Sequence, residues 1–298
     1  MAITAKMVKE LRTRTGAGMM DCKKALVKMD GDVDAAMEFL QKKGIAKAGK
    51  KAGRIAAEGL VTVHVSDDAT SASLIEVNCE TDFVARNEAF QSFVKHLAAV
   101  AHRKNLTDVE ALIATENDDG KNIGEWTKEQ ISNIGENIKI RRIARIEGDH
   151  IGHYIHMGGQ IGVLVKTDLS GADNDTAADF SRNIAMHVAA SNPQYATPDE
   201  IDQAAYDKHK EILTAQALDS GKPANIVEKM VVGRMRKWTA EITLTQQPYV
   251  KDPDLTIAKY QKQTGGIAIN SFIRFQVGEG IEKKVNNLAD EVAAQLQG

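Results

Sequence analysis

Along residues 1–44, apolar side chains recur every three or four positions and are separated by turn residues, a pattern that predicts three short helices. Thr4 is an N-cap for the first, which carries Val8 and Leu11. Thr15-Gly16-Ala17-Gly18 then forces a turn into a second helix with Cys22, Leu26 and Met29. Asp30-Gly31 ends it, and Asp32 caps a third helix in which Val33, Ala36, Met37 and Leu40 recur up to Gly44. The following IAKAGKKAGRIAAE, rich in Ala, Gly and Lys, reads as a basic linker.

From Gly59 the period shortens to two. LVTVHVS alternates, Asp67-Asp68 supplies a turn and LIEVN returns, which predicts an antiparallel hairpin. Asn87 caps the next helix, whose apolar face holds Phe90, Phe93, Val94, Leu97 and Val100. After Arg142 the plan returns as HIGHYIH, a Gly158-Gly159 turn, QIGVLVKT and a helix with Phe180, Ile184, His187 and Val188 on one face. This is an internal repeat, and it predicts two related α/β core subdomains with antiparallel sheets.

Thr197-Pro198-Asp199-Glu200 combines an N-cap, a proline at the first helical position and a capping-box acid, and so predicts a helix start. Ser220-Gly221-Lys222-Pro223 turns that helix into a second one with Ile226, Val227, Met230, Val231, Met235 and Trp238, forming a protruding helical hairpin. Ile242–Leu244 and Ala268–Val277 read as strands completing the second sheet, and Ile281, Val285, Leu288, Val292 and Leu296 mark a terminal helix. The fold class predicted is α+β. Its parts are a three-helix module with linker (1–54), a first core subdomain (55–142), a second (143–198 with 238–278), the hairpin (199–237) and a C-terminal helical module (279–298).

Composition narrows the function. With 38 basic against 41 acidic side chains and a net charge of -3, no global field favours nucleic acid or an acidic membrane. No apolar run approaches the roughly 20 residues that span a bilayer. Two distant cysteines, and a start that reads straight into a helix, give the expectation of a soluble, reduced, cytoplasmic protein.

Catalytic chemistry is not visible in the pattern. Gly44 to Lys51 approaches a phosphate-binding loop, but Lys51 stands where a magnesium-binding hydroxyl belongs, and a helix precedes it instead of a strand. His150, His153 and His156 alternate faces of a strand, so they do not converge on one metal. Cys22 reads as a buried structural thiol, and Cys79 has no activating neighbour. Lys47, Lys50, Lys51 and Arg54 offer charge to RNA but lack interleaved aromatic residues for stacking. No catalytic constellation is visible, so no enzyme is the expectation.

The segment EVNCETDFVAR ends a predicted strand and leads into a helix, which puts Thr81, Asp82 and Phe83 where strand becomes loop. Composition alone favours a Phe83 folded into the core with Asp82 capping the turn. The alternative is a wedge, an exposed ring that needs a partner's pocket beside a carboxylate that disturbs a cation.

LRTRTGAGMMDCKKAL (Leu11 to Leu26) and EVNCETDFVAR, followed in order by IGENIKIRR, Tyr154-x-His156 before IGVLV, IAMHVAASNP, SGKP and FIRFQVGEGIEK, resemble the translation elongation factor Ts family over nearly the whole chain. The resemblance implies a guanine nucleotide exchange factor for elongation factor Tu, with an N-terminal module similar to ubiquitin-associated domains. It implies that Arg12, Met19, Met20 and Lys23, with the C-terminal helix, grip the partner's nucleotide-binding domain, and that the Thr81-Asp82-Phe83 loop intrudes beside its magnesium site. Ile134, Gly135 and His156 fall on contact positions, and Val250, in the Gln247-Pro248-Tyr249-Val250 turn, faces the partner's other domains. No cofactor of its own, no stable nucleic acid and no membrane are implied, since the GDP and magnesium belong to the partner. Whether the hairpin pairs two copies, giving a homodimer or a heterotetramer with the partner, is left open. Gln160 stands where the family commonly has a basic residue, and the acidic loops Asn117 to Gly120 and Gly171 to Asp175 add length.

Overall fold

The computed structural model describes residues 3–169 and 171–282. The fold is α+β and divides into two units. The first takes in the chain up to Thr62, Ile75–Ala144 and the segment from Gln276 onward; the second comprises Val63–Leu74 and Arg145–Phe275.

The first unit opens with α1 (Ala5–Thr15), α2 (Met19–Lys28) and α3 (Val33–Lys51). Thr4 accepts from the Met7 N–H and Asp32 from those of Asp34 and Ala35, so both predicted caps form. Val8, Leu11, Cys22, Ala25, Leu26 and Ala36 make a small core of their own. The expected linker differs, because α3 runs through it to Lys51. Ala and Lys are good helix formers, and the missing side chain of Gly44 lets this helix approach Ser132, whose Oγ would lie 3.2 Å from an added Cβ.

The chain continues as β1 (Glu58–Val65), β2 (Ser71–Cys79), the single-turn α4 (Asp82–Ala85), α5 (Glu88–Arg103), α6 (Val109–Ala114), α7 (Ile123–Ile134) and β3 (Lys139–Glu147). Sheet order is β1-β2-β3. Phe90, Phe93, Val94 and Leu97 of α5 join Ile75 and Val77 in the core, and Trp126 meets Phe93 edge-on at 4.7 Å. Strand β3 was not anticipated: its buried Ile140, Ile143 and Ile146 are three apart, so the two-residue alternation that announces a strand is missing.

In the second unit β4 (His150–His156) pairs antiparallel with β5 (Ile161–Asp168), from His150 opposite Thr167 to His156 opposite Ile161. Helix α8 (Asn174–Ser191) covers this sheet with Phe180, Ile184 and Val188. The hairpin tip of β1 and β2 belongs to this unit, where Thr70 and Ala69 carbonyls accept from Gly148 and Ile151 N–H groups at 2.9 and 2.7 Å. Strands β1 and β2 are therefore each divided between the two units.

Two expected elements differ. Thr197 to Glu200 forms only a 3-10 turn, Pro198–Glu200. Glu200 does reach back to the Ala196 N–H at 2.9 Å, but Ile201 is extended and α9 (Gln203–Leu218) starts under Asp202. Ile242–Leu244 is no strand: α10 (Ala224–Ile242) occupies its start and a 3-10 turn with a fully buried Leu244 follows. Helices α9 and α10 form the helical hairpin, closed by Ala217, Val227, Val231 and Met235. Then come β6 (Pro248–Tyr249), β7 (Asp252–Thr256), α11 (Ile257–Gln263) and β8 (Ala268–Gln276), with sheet order β4-β5-β8. Both halves of the repeat thus share one plan: a hairpin, a helix, and a third strand beside the hairpin's second. Most of the expected C-terminal helix, from residue 283 on, lies outside the described residues. Among those described, no helix is long and apolar enough to cross a membrane.

Candidate functional site

Strand β2 is buried almost throughout and delivers the chain to Cys79, after which a carboxylate from the end of α7 takes over. Glu136 Oε2 accepts from the backbone N–H groups of Glu80 and Thr81 at 3.1 and 3.0 Å, and its Oε1 accepts from the Thr81 hydroxyl at 2.6 Å. Cys79 Sγ donates to the Thr81 carbonyl at 3.2 Å. Burial, with the Glu136 charge nearby, pushes that thiol up to about 12, so it is a hydrogen-bond donor and no nucleophile. Glu80 in turn accepts from the Asn137 N–H at 2.6 Å. The root of the loop is therefore held on both sides.

Thr81, and not Asp82, caps the short turn α4 by accepting from the Val84 N–H at 3.4 Å. Val84 and Ala85 take the inward positions of that turn and pack on the core. Phe83 is left facing outward, 80% exposed, so the core position favoured by composition is occupied by its neighbours. Asp82 is about half exposed and pairs with Arg86 at 3.0 Å. Such surface pairs are worth ~0–1 kcal/mol, so this carboxylate exchanges partners at little cost.

Ile134 is half-buried against the same core, and Gly135 ends α7 at a φ of 91° with its carbonyl accepting from Lys51 Nζ. These two residues thus place the Glu136 latch. In the N-terminal module, Arg12, Met19, Met20 and Lys23 line one groove with Ile3, Val8 and Lys9. Met19 and Met20 stand 58% and 64% exposed on its wall. In the second unit His156 ends β4, its Nδ1 3.2 Å from the Tyr154 hydroxyl, and Val250 lies half-exposed between β6 and β7. Lys51 and Arg54, offered above as RNA contacts, are engaged within the chain: Arg54 pairs with Glu80 at 3.5 Å. Among the described residues no group of three His, Cys, Asp or Glu side chains is placed to hold a metal.

Two features escaped the sequence. One is the Glu136 latch, invisible because 55 residues separate it from Thr81. The other is Glu76, fully buried within β2. It accepts from Arg141 at 3.0 Å, Arg142 at 2.5 Å, the Gly278 N–H at 2.8 Å and Asn78 at 3.1 Å. Burial pushes its carboxyl up, but the Gly278 N–H and the two guanidiniums outweigh burial and leave it below the ordinary value. Arg142 also donates to the Gln276 carbonyl and pairs with Glu279 at 3.1 Å, so this cluster clasps the chain where it leaves β8. The only signal was a charged residue in the apolar run of a strand.

The model of the family described as elongation factor TS matches residues 80–279. The elongation factor Ts of Thioalkalivibrio sulfidiphilus (strain HL-EbGR7) is 52% identical over 301 aligned positions that cover all of both chains. The matched span begins at the loop root and ends at the Arg142-clasped Glu279, and on this footing the chain belongs to the elongation factor Ts family.

Proposed function

We propose that the protein is a guanine nucleotide exchange factor for elongation factor Tu in cytoplasmic translation, acting by binding and not by bond chemistry. The observation that carries this reading is Phe83, an aromatic ring left in solvent by a loop whose root is fixed by Glu136 and Cys79. Ordering the loop beforehand removes an entropic cost that would otherwise weaken its docking.

An exchange factor must bind the nucleotide-free partner better than the nucleotide-bound one; linkage then weakens the nucleotide by the same factor. Burying one Phe ring contributes at most ~3 kcal/mol, and each decade of affinity is about 1.4 kcal/mol. Phe83 alone therefore supplies about two decades. The remainder is assigned to the groove of Arg12, Met19, Met20 and Lys23, to Ile134 and Gly135, and to His156 and Val250. In this mechanism Phe83 wedges side chains apart near the partner's magnesium site, and Asp82 leaves Arg86 to disturb the ligation of that cation. GDP leaves and abundant GTP replaces it.

Release of a fluorescent GDP analogue from purified elongation factor Tu tests the proposal. The protein is expected to accelerate release, and Phe83→Ala to lower that acceleration by roughly one to two decades. No acceleration by the unmodified protein overturns the function. Full activity in both Phe83→Ala and Asp82→Ala overturns the wedge.

A further inference from the structure

Val250 presents a half-exposed apolar side chain, yet its backbone is anchored on a side chain in the interior. His187 of α8 is fully buried. Its Nδ1 accepts from the Val250 N–H at 3.2 Å, and its Nε2 lies 2.9 Å from Gln247 Oε1. A nitrogen that accepts carries no proton, so the proton sits on Nε2 and is donated to Gln247. Gln247 passes the tie on, its Nε2 donating to the Glu241 carbonyl in the last turn of α10 at 2.6 Å. A second tie runs from Lys251 Nζ to Asn183 Oδ1 at 2.7 Å, also on α8. Tyr249, the residue before Val250, is buried in a stack with Tyr260 at 4.5 Å.

A surface turn needs none of this, because water satisfies an exposed N–H. Burying an imidazole for the purpose opposes its solvation, and what the bond obtains is one fixed orientation of the Val250 backbone. We propose that His187 is a positioning residue: its Nδ1 holds Val250 as a preorganised apolar contact for a partner protein's hydrophobic surface, while its Nε2–H ties the same turn to the exit of the α9–α10 hairpin. This rests on the reading of the chain as an exchange factor whose Val250 touches elongation factor Tu.

Two substitutions separate the two nitrogens. In His187→Asn the Oδ1 stands in for Nδ1 and still accepts from Val250, but the bond to Gln247 is lost. In His187→Gln the amide reaches Gln247 and Val250 loses its acceptor. In the GDP-release assay with full-length protein, Val250→Ala and His187→Gln are each expected to raise the half-saturating concentration about three- to tenfold, roughly 0.6–1.4 kcal/mol by the tenfold conversion. The limiting rate is expected to stay constant. His187→Asn is expected to remain within about twofold, and the His187→Gln/Val250→Ala double variant to be no worse than Val250→Ala alone. Amide hydrogen exchange at Val250 is expected to stay protected in His187→Asn and to become fast in His187→Gln.

A merely structural histidine would affect both variants alike and add to Val250→Ala, and either outcome overturns the proposal. So does an inert Val250→Ala in an assay where the unmodified protein works, a result that leaves the exchange function standing. No acceleration by the unmodified protein overturns both.

Discussion

Replacing Glu76 by alanine removes a fully buried carboxylate that accepts from Arg141, Arg142, the Gly278 N–H and Asn78. Hydrogen bonds to charged groups contribute ~1.5–3 kcal/mol each, but the four of them do not simply add. The Arg141 and Arg142 side chains are 23% and 29% exposed, and Arg142 keeps Glu279, so both guanidiniums recover part of their solvation in the variant. The Gly278 N–H has no such substitute among the hydrogen bonds described above. The expected loss is therefore about 3–4 kcal/mol, near the lower end of the ~3–5 kcal/mol seen when a buried ion pair is broken from one side. Glu76→Gln keeps the shape and an acceptor for Gly278 while discarding the charge, and about 2 kcal/mol is expected for it. Against a total of ~5–15 kcal/mol for a domain, either loss is readily measured.

Urea unfolding provides the assay, because the two tryptophans report different units: Trp126 lies in the first and Trp238 in the second. In a Trp238→Phe background the fluorescence transition follows the unit that contains Glu76. The midpoint is expected to fall with an unchanged slope. The pH dependence has a definite sign. The folded carboxyl is held below its ordinary value of 4.5, so its stabilisation is present above that pH and is lost as pH falls through the folded value. Glu76→Ala is expected to flatten that acid limb. A loss under about 1 kcal/mol at neutral pH would show that the cluster does not hold the unit together, and would refute the reasoning.

Phe83→Ala is expected to leave thermal stability within about 0.5 kcal/mol, since the ring is largely in solvent; a loss of several times that in a melting curve would place the ring in the core. Gly278→Ala is expected to cost at least ~2 kcal/mol in urea unfolding, because φ is 69° and an added Cβ would stand 2.2 Å from the Ala57 carbonyl oxygen, a strain no rotamer relieves. Glu136→Ala is expected to speed amide exchange at Glu80 and Thr81 by roughly tenfold or more, read by nuclear magnetic resonance, and unchanged protection would remove Glu136 as the latch. Burial lowers the buried His150 and His187 below their ordinary 6.5, so the unfolded chain binds protons first. Stability from these groups is full above about pH 6.5 and declines as pH falls through the folded values, which unfolding midpoints at pH 7.5 and 5.5 should show.

Local features of the fold were legible because their energies lie between near neighbours. Thr4, Asp32 and Asn87 cap helices by bonds to N–H groups two or three residues on, and the alternation of LVTVHVS and LIEVN marks two strands of a hairpin, although the second of them, polar Glu76 and Asn78 included, is buried on both faces. The same local rules misplaced two ends. Glu200 reaches past the N-cap Thr197 to the Ala196 N–H, and one 3-10 turn is all that follows. Gly44 does not stop α3, because close packing on Ser132 compensates for its poor helix propensity.

The site divides along the same line. Motif resemblance pointed to Thr81, Asp82, Phe83 and the groove residues, but composition alone placed Phe83 in the core, since a ring turned inward and a ring left in solvent have the same letter. Only the packed chain decides between them, by putting Val84 and Ala85 in the inward positions and closing Glu136 on the loop root from 55 residues away. Glu76 and His187 are the same case: each is one polar residue in an apolar stretch until Arg142 and Gly278, or Gln247 and Val250, are brought to it. The order of residues determined the helices, the hairpins and the repeat, because hydrogen-bond reach and side-chain period act over a few positions. Burial of charge and exposure of an apolar tip were decided by tertiary structure, because the free energy of a polar group in the interior depends on partners that the chain supplies only after it has folded.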